Sequence, residues 1–426
     1  MIDIKIIRDN SDLVRENIKK KFQNYKLPLV DQVLELDVNY RDLKIKADNL
    51  RAKRNQLSQE IGKLVKSGDN DSVALVKDQV VTINEELNKI ELEEARVSTE
   101  IKDIMLQIPN IIDDSVPIGK DDSCNIELKK YGDPVIPEFS IPYHTEIMEH
   151  LDGLDLESAR RVAGQGFYYL EGNIARLHSA LLSYARDFMI NKGFKYAIPP
   201  FMIRSSVVTG VMSFTEMDDM MYKIEGEDLY LIGTSEHSMI GKFKDQILKP
   251  ETLPQNYTSY SPCFRKEKGA HGIEERGIYR IHQFEKQEMI VVCEPEDSMD
   301  WYQKMWQYTV ELFETLDIPV RTLECCSGDL ADLKVKSVDV EAWSPRQKKY
   351  FEIGSCSNMG EAQARRLNIR VKGINGNYYP HTLNNTVIAP PRMLIAFLEN
   401  NLNEDLTIRI PTVLRPYMGG IDVISK

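Results

Sequence analysis

Residues 263–289, CFRKEKGAHGIEERGIYRIHQFEKQEM, concentrate side chains that could do chemistry. If 279–292 is one strand, the two-residue period puts Arg280, His282, Phe284, Lys286 and Glu288 on one face. Arg265 and Glu267 lie on a preceding strand with matching parity, so they can share that face. An aromatic ring flanked by guanidinium groups suits a nucleotide, ring against base and guanidinium against phosphate. A glutamate at the far end suits an ammonium or a hydroxyl. The same pattern also fits cross-strand ion pairs on a solvated face, and charge alone does not separate the two.

Short strand-like runs surround this ribbon: LYLIGT, YSPCF, IYRIHQFEKQEMIVV, SVDVEAWS and KYFEIGS. Their strand-turn-strand spacing predicts an antiparallel sheet. Residues 173–191 predict an amphipathic helix with Leu177, Leu181, Tyr184 and Phe188 on one face, stopped at Gly193. FKYAIPPFMI follows, and Pro199-Pro200 marks it as a sheet edge. Helices between and after strands give an α+β class. No G-x-x-x-x-G-K-[ST] phosphate loop occurs, and Gly164-Gln165-Gly166 is not a dinucleotide fingerprint.

The first hundred residues read differently. Leu36, Tyr40, Leu43, Ala47, Leu50, Arg54, Leu57, Ile61 and Leu64 alternate by fours and threes. Val73, Val76, Val80, Ile83, Leu87, Ile90, Glu94, Val97, Ile101 and Ile104 repeat the pattern. Both are coiled-coil seams, and the turn Lys66-Ser67-Gly68-Asp69-Asn70 between them predicts an antiparallel hairpin over 33–105. Its first helix carries Lys44, Lys46, Arg51, Lys53, Arg54, Lys63 and Lys66 against only Asp48 and Glu60 from 44 to 66. Such a run is a solvated or dimerising face, or a contact for phosphates. Periodicity stops after Ile108 and turn residues gather, so the boundary falls near 110–125: an N-terminal domain over 1–115 and a second over 116–426.

With 426 residues, 42% hydrophobic and 28% charged, the chain has the composition of a soluble protein of two or three domains. A net charge of −12 argues against non-specific coating of nucleic acid, yet leaves room for a local basic surface. No run is long and apolar enough for a membrane span, and the charged N-terminus is unlike a secretory signal. Six cysteines without metal-ligand spacing read as reduced thiols, and the expected location is cytoplasmic.

CFRKE, the glycine-bearing loop and RIHQFEKQE resemble motif 2 of class II aminoacyl-tRNA synthetases, specifically the seryl-tRNA synthetase family of the bacterial type. FYYLEGNIARLHSALLSYARDFMINKGFKYAIPPFMI resembles its motif 1 region, GTSEH its Thr-x-Glu loop, and HTLNNTVIAPPRMLIAFLENN its motif 3. YFEIGSCSNMGEAQARRLNIR resembles the metal region, LRPYMGG the terminus, and the hairpin the tRNA-binding arm.

The resemblance implies a class II antiparallel catalytic core with a coiled-coil arm. It implies ATP-dependent activation of L-serine and transfer to tRNA(Ser), with tRNA(Sec) a further acceptor, by a homodimer using Mg2+ with ATP. Arg265 is similar to the arginine that bridges the ATP α-phosphate and the serine carboxylate, and Glu267 to the residue that meets the adenine amino group. Phe284 matches the ring under adenine, and Arg280 and Arg392 match γ-phosphate binders. Thr234, Glu236, Glu288, Asn384 and Thr386 match the serine pocket, and Glu352 and Ser355 the magnesium ligands. Strict alternation would put Glu352 and Ser355 on opposite faces, so a bend at Gly354 is required. Gly354 itself stands where the family frequently has serine. Rival readings are a specialised paralogue, a catalytically silent RNA-binding relative, and a ligase for a carrier protein, which should lack the arm.

Overall fold

The computed structural model describes residues 1–267 and 277–426. The chain forms two compact units, Ile2–Lys19 with Gln23–Pro109, and Met1, Lys20–Phe22 and Asn110–Lys426.

The smaller unit is dominated by two helices, Leu27–Ser67 and Asn70–Met105, antiparallel about a tight reversal. The Gly68 N–H reaches back to the carbonyls of Leu64 and Val65, and the Asp69 carboxylate accepts from the Ser72 N–H at 3.1 Å. At 41 and 36 residues the helices run roughly 60 and 54 Å at α-helical rise. The first begins six residues before the hairpin bound at 33 read from the sequence. Ala47, Leu57, Val73, Val76, Ile83, Leu87, Val97 and Ile101 are buried between the helices, and the other seam residues are half-buried. The polar exceptions Arg54 and Glu94 are among these.

The larger unit is built on an eight-stranded sheet. Its strands are β1 (Ile126–Tyr131), β2 (Lys195–Ala197), β3 (Gln255–Phe264), β4 (Gln283–Cys293), β5 (Val320–Glu324), β6 (Lys336–Ser344), β7 (Lys349–Asn358) and β8 (His381–Ile388). Their order across the sheet is β1-β5-β6-β7-β8-β4-β3-β2. Every pairing is antiparallel except β2 on β3 at the edge, where the proline-bearing run was expected. This is the α+β class read from the sequence.

Alternation along β4 divides the molecule into layers. Met289, Val291 and Cys293 point into a core shared with the helices Gly172–Asn191, Ser298–Thr315 and Pro390–Asn401. Leu177, Leu181, Met305, Phe313, Leu394 and Phe397 are fully sealed in that core. The alternate residues Ile290 and Val292 pack beneath Met239, Ile240 and Phe243 of a second cluster. Phe284, Lys286 and Glu288 occupy the same alternate positions earlier along β4.

The strand expected over 279–292 begins later, at Gln283. Arg280 and His282 therefore precede the strand, and β3 ends at Phe264, just before Arg265 and Glu267. Arg265, Glu267 and Arg280 still meet Phe284 around one cavity, while the His282 ring packs with Phe167 and Tyr222 instead.

Candidate active site

Residues of β4, β7 and β8 floor a cavity of about 350 Å³. Of the residues expected to bind substrates, Thr234, Glu236, Arg265, Glu267, Arg280, Phe284, Glu352, Ser355, Asn384, Thr386 and Arg392 line it. Glu288 does not. It lies behind the wall, 1% exposed, with its Oε2 accepting from Thr234 Oγ1 at 2.8 Å and meeting Lys286 Nζ at 2.5 Å. Thr386 is its cross-strand partner on β8 and Ser259 its partner on β3.

Thr234 holds this corner because it begins a helix, Ser235–Gly241, in extended conformation. Its Oγ1 accepts from the Glu236 N–H at 3.4 Å while donating to Glu288. Glu236 then enters the cavity in the first turn, where Gln363 Nε2 donates to its Oε1 at 2.7 Å. Burial, reinforced by the neighbouring Glu288, lifts the Glu236 carboxyl to about 7. His237 beside it is driven down to about 3 by burial and by the nearby Arg265 and Lys286, so it is neutral.

A second group of charges lies across the cavity. Arg265 Nε donates to the Gly233 carbonyl at 3.1 Å, and its guanidinium lies over the Phe284 ring at 5.2 Å. Arg280 meets Glu267 at 3.6 Å. Arg392, in the first turn of the helix that opens with Pro390-Pro391, donates through Nη1 to Glu352 Oε2 at 2.8 Å and covers the Tyr279 ring at 4.7 Å. Burial alone would raise the Glu352 carboxyl, but Arg392, Lys334 and Arg265 outweigh it and hold it below its ordinary value.

The bend that Glu352 and Ser355 require is a β-bulge. Val340 pairs with Gly354 and Glu341 with Glu352, so Ile353 is the extra residue and both neighbours reach the cavity. Gly354 has its own reason to lack a side chain, since a β-carbon there would sit 2.8 Å from Thr386 Cβ. Ser355 Oγ lies 3.0 Å from Ser337 Oγ. A carboxylate held ionised beside a hydroxyl is an all-oxygen donor set, which suits a hard divalent cation. Asp339, the cross-strand partner of Ser355, is raised to about 7 by burial and by Glu352.

Sequence reasoning left Lys286 without a role, although its parity with Phe284 and Glu288 was visible. It missed Glu216, Tyr279 and Lys334, which also line the cavity. Tyr279 opens the run read as one strand, while Glu216 and Lys334 arrive from segments with no pattern of their own.

The basic residues of the arm divide on inspection. Lys44, Lys46, Lys53, Lys63 and Lys66 are exposed. Arg51 is tied to Asp48 at 2.7 Å and across the hairpin to Glu91 at 2.8 Å.

Comparison with known proteins gives this arrangement its context. Residues 220–401 match the tRNA synthetase class II core domain (G, H, P, S and T), and residues 1–112 match the seryl-tRNA synthetase N-terminal domain. The sheet and its cavity are therefore those of a class II aminoacyl-tRNA synthetase. The serine--tRNA ligase of Methanocella arvoryzae is 39% identical over the whole of both chains, and that of Thermococcus sibiricus is 40% identical over 100% of this chain and 98% of the other. The seryl-tRNA synthetase of Pyrococcus horikoshii, solved in complex with ATP, superposes with a TM-score of 0.92 at 39% identity, covering 100% of this chain and 99% of that one. The cytoplasmic serine-tRNA ligase of Naegleria fowleri, solved with AMP, gives 0.88 at 32% identity, with the same coverage. The chain belongs to the seryl-tRNA synthetase family and is a ligase that joins serine to tRNA at the expense of ATP. These similar ligases are from archaea and an amoeba, where the sequence suggested the bacterial type.

Proposed function

We propose that the cavity over β4, β7 and β8 is where serine and ATP meet, with the roles set out from the family resemblance. The observation that carries this is the buried Lys286–Glu288–Thr234 cluster beside Glu236, with Arg265 lining the same cavity. Glu236 receives the serine ammonium, and Thr234, Asn384 and Thr386 surround the side-chain hydroxyl. Glu288, sealed behind Thr234 and Lys286, orients both. An amino acid without the hydroxyl would leave buried polar groups unpaired, which is the strongest basis for rejecting alanine.

Arg265 bridges the α-phosphate and the serine carboxylate, with Phe284 under adenine and Glu267 on its amino group. Arg280 and Arg392 take the γ-phosphate. The serine carboxylate attacks the α-phosphorus in line and pyrophosphate leaves, so no protein nucleophile is needed. The residues act by alignment and by offsetting charge. Glu352 and Ser355 would hold Mg2+, which when bound neutralises phosphate charge. A terminal ribose hydroxyl of tRNA, the 3′-hydroxyl by class resemblance, then takes the seryl group.

The arm reads as the tRNA-binding element through Lys44, Lys46, Lys53 and Lys63, with Arg51 and Arg54 partly committed within the hairpin. The division into 1–115 and 116–426 and the cytoplasmic location rest on the sequence pattern, and the homodimer on the family resemblance. No described helix is long and apolar enough to cross a membrane. A silent RNA-binding relative is disfavoured because Arg265, Arg392 and the pocket glutamates are all present.

The direct test is ATP–pyrophosphate exchange across the amino acids. Serine should drive it, and Arg265→Ala should lower kcat at least about 10²-fold. Exchange driven better by glycine, alanine or threonine would end the assignment.

A further inference from the structure

We propose that His282 is a positioning residue for Arg265, its imidazole standing in for a strand hydrogen bond that the chain has given up. The inference rests on the reading above that Arg265 holds the reacting groups.

The β3–β4 pairing runs from Gln255 opposite Val292 to Phe264 opposite Gln283. One step further, the Arg265 N–H still donates to the His282 carbonyl at 2.9 Å. The return bond of a regular antiparallel pair is missing. The His282 N–H instead donates to the Gly166 carbonyl at 2.8 Å. The Arg265 carbonyl is met by His282 Nδ1 at 2.9 Å. A carbonyl only accepts, so Nδ1 carries the proton.

The ring that makes this substitution is itself seated. Gly166 has φ +80°, and a β-carbon there would lie 2.6 Å from His282 Cδ2. Phe167 packs on the imidazole at 5.4 Å and Tyr222 meets it nearly edge-on at 6.5 Å. The turn Gly164-Gln165-Gly166-Phe167, which no phosphate motif explains, is thus the cradle of this histidine. His282 does not line the cavity, so it acts on substrates only through Arg265. With Nε bonded to Gly233, Arg265 is fixed at its amide, its carbonyl and its side chain. Release of one anchor misplaces the guanidinium, and an error near 1 Å costs about 10²-fold in rate.

The test compares His282→Ala, His282→Asn, His282→Gln and Gly166→Ala in the full-length enzyme, by exchange kinetics and thermal melting. An asparagine amide can place an N–H near Nδ1, whereas glutamine reaches toward Nε2. His282→Ala and Gly166→Ala should lower kcat about 10- to 100-fold, with melting still cooperative. His282→Asn should recover most of the loss and His282→Gln should not. Equal defects in the asparagine and glutamine variants, or losses that follow only the unfolded fraction, would overturn the proposal. Arg265→Ala separates the two readings. Full exchange by that variant removes the site assignment itself, while its inactivity beside an unaffected His282→Ala removes only the role of His282.

Discussion

Glu236 and Glu288 stand side by side in the serine corner, and their surroundings make them unequal. Glu288 is locked to Lys286 and Thr234, whereas Glu236 has one amide donor and a carboxyl raised to about 7. A serine ammonium needs the carboxylate, so KM for serine should fall about tenfold from pH 6 to pH 8 as Glu236 ionises. Glu236→Gln should flatten that profile and leave any contribution from Asp339, which also titrates near 7. Stability carries the opposite sign. A folded pKa above the unfolded one stabilises fully below the ordinary carboxyl value and is lost as pH rises through about 7. Thermal melting without serine should therefore weaken over that window. At this scale eleven of the twelve expected substrate and metal residues line the cavity; parity pointed to Arg265, Glu267, Arg280 and Phe284, and the family resemblance to the others. Nothing in the sequence signalled that Glu288 would sit behind Thr234, a position that depends on a helix start contributed by a distant segment.

Among elements, the hairpin was the most readable, since a four-three apolar period demands a partner seam and the turn supplies it. The bulge in β7 was only half readable. The need for a bend was deduced from Glu352 and Ser355, but its location at Ile353 is set by pairing with β6. The late start of β4 was not readable, because the His282 amide leaves the ladder for Gly166, a contact over more than a hundred residues. The arm also offers a clean separation of steps. Leu57 packs with Val76 and Ile83 toward the turn end of the seam. Leu57→Ala should destabilise the arm by about 2 kcal/mol, the low end for a buried leucine. Helicity loss by circular dichroism should accompany reduced tRNA charging, with serine-dependent exchange unchanged. Deleting 33–105 should do the same in full, and equal loss of both reactions would remove the arm from tRNA recognition.

For the molecule as a whole, a net charge of −12 sets the electrostatic stage. An acidic protein can hold RNA only where cations are locally uncompensated, and the exposed lysines of the first arm helix are such a place. If four or five of them meet phosphates, KM for tRNA should rise roughly 10²-fold between 50 and 200 mM salt. KM for serine should move little, and Lys46→Gln or Lys53→Gln should each lower the log–log slope by about one. The cavity follows the reverse arrangement. Arg392 rests on Glu352, Arg280 on Glu267 and Lys286 on Glu288, so three of its positive groups already face a carboxylate, while Arg265, among the described residues, does not. A visiting orthophosphate would gain Arg280 or Arg392 only by stranding a carboxylate. A zwitterion or a cation-loaded triphosphate brings both signs and can satisfy each abandoned member, so these two arginines favour guests that arrive with their own counter-charge.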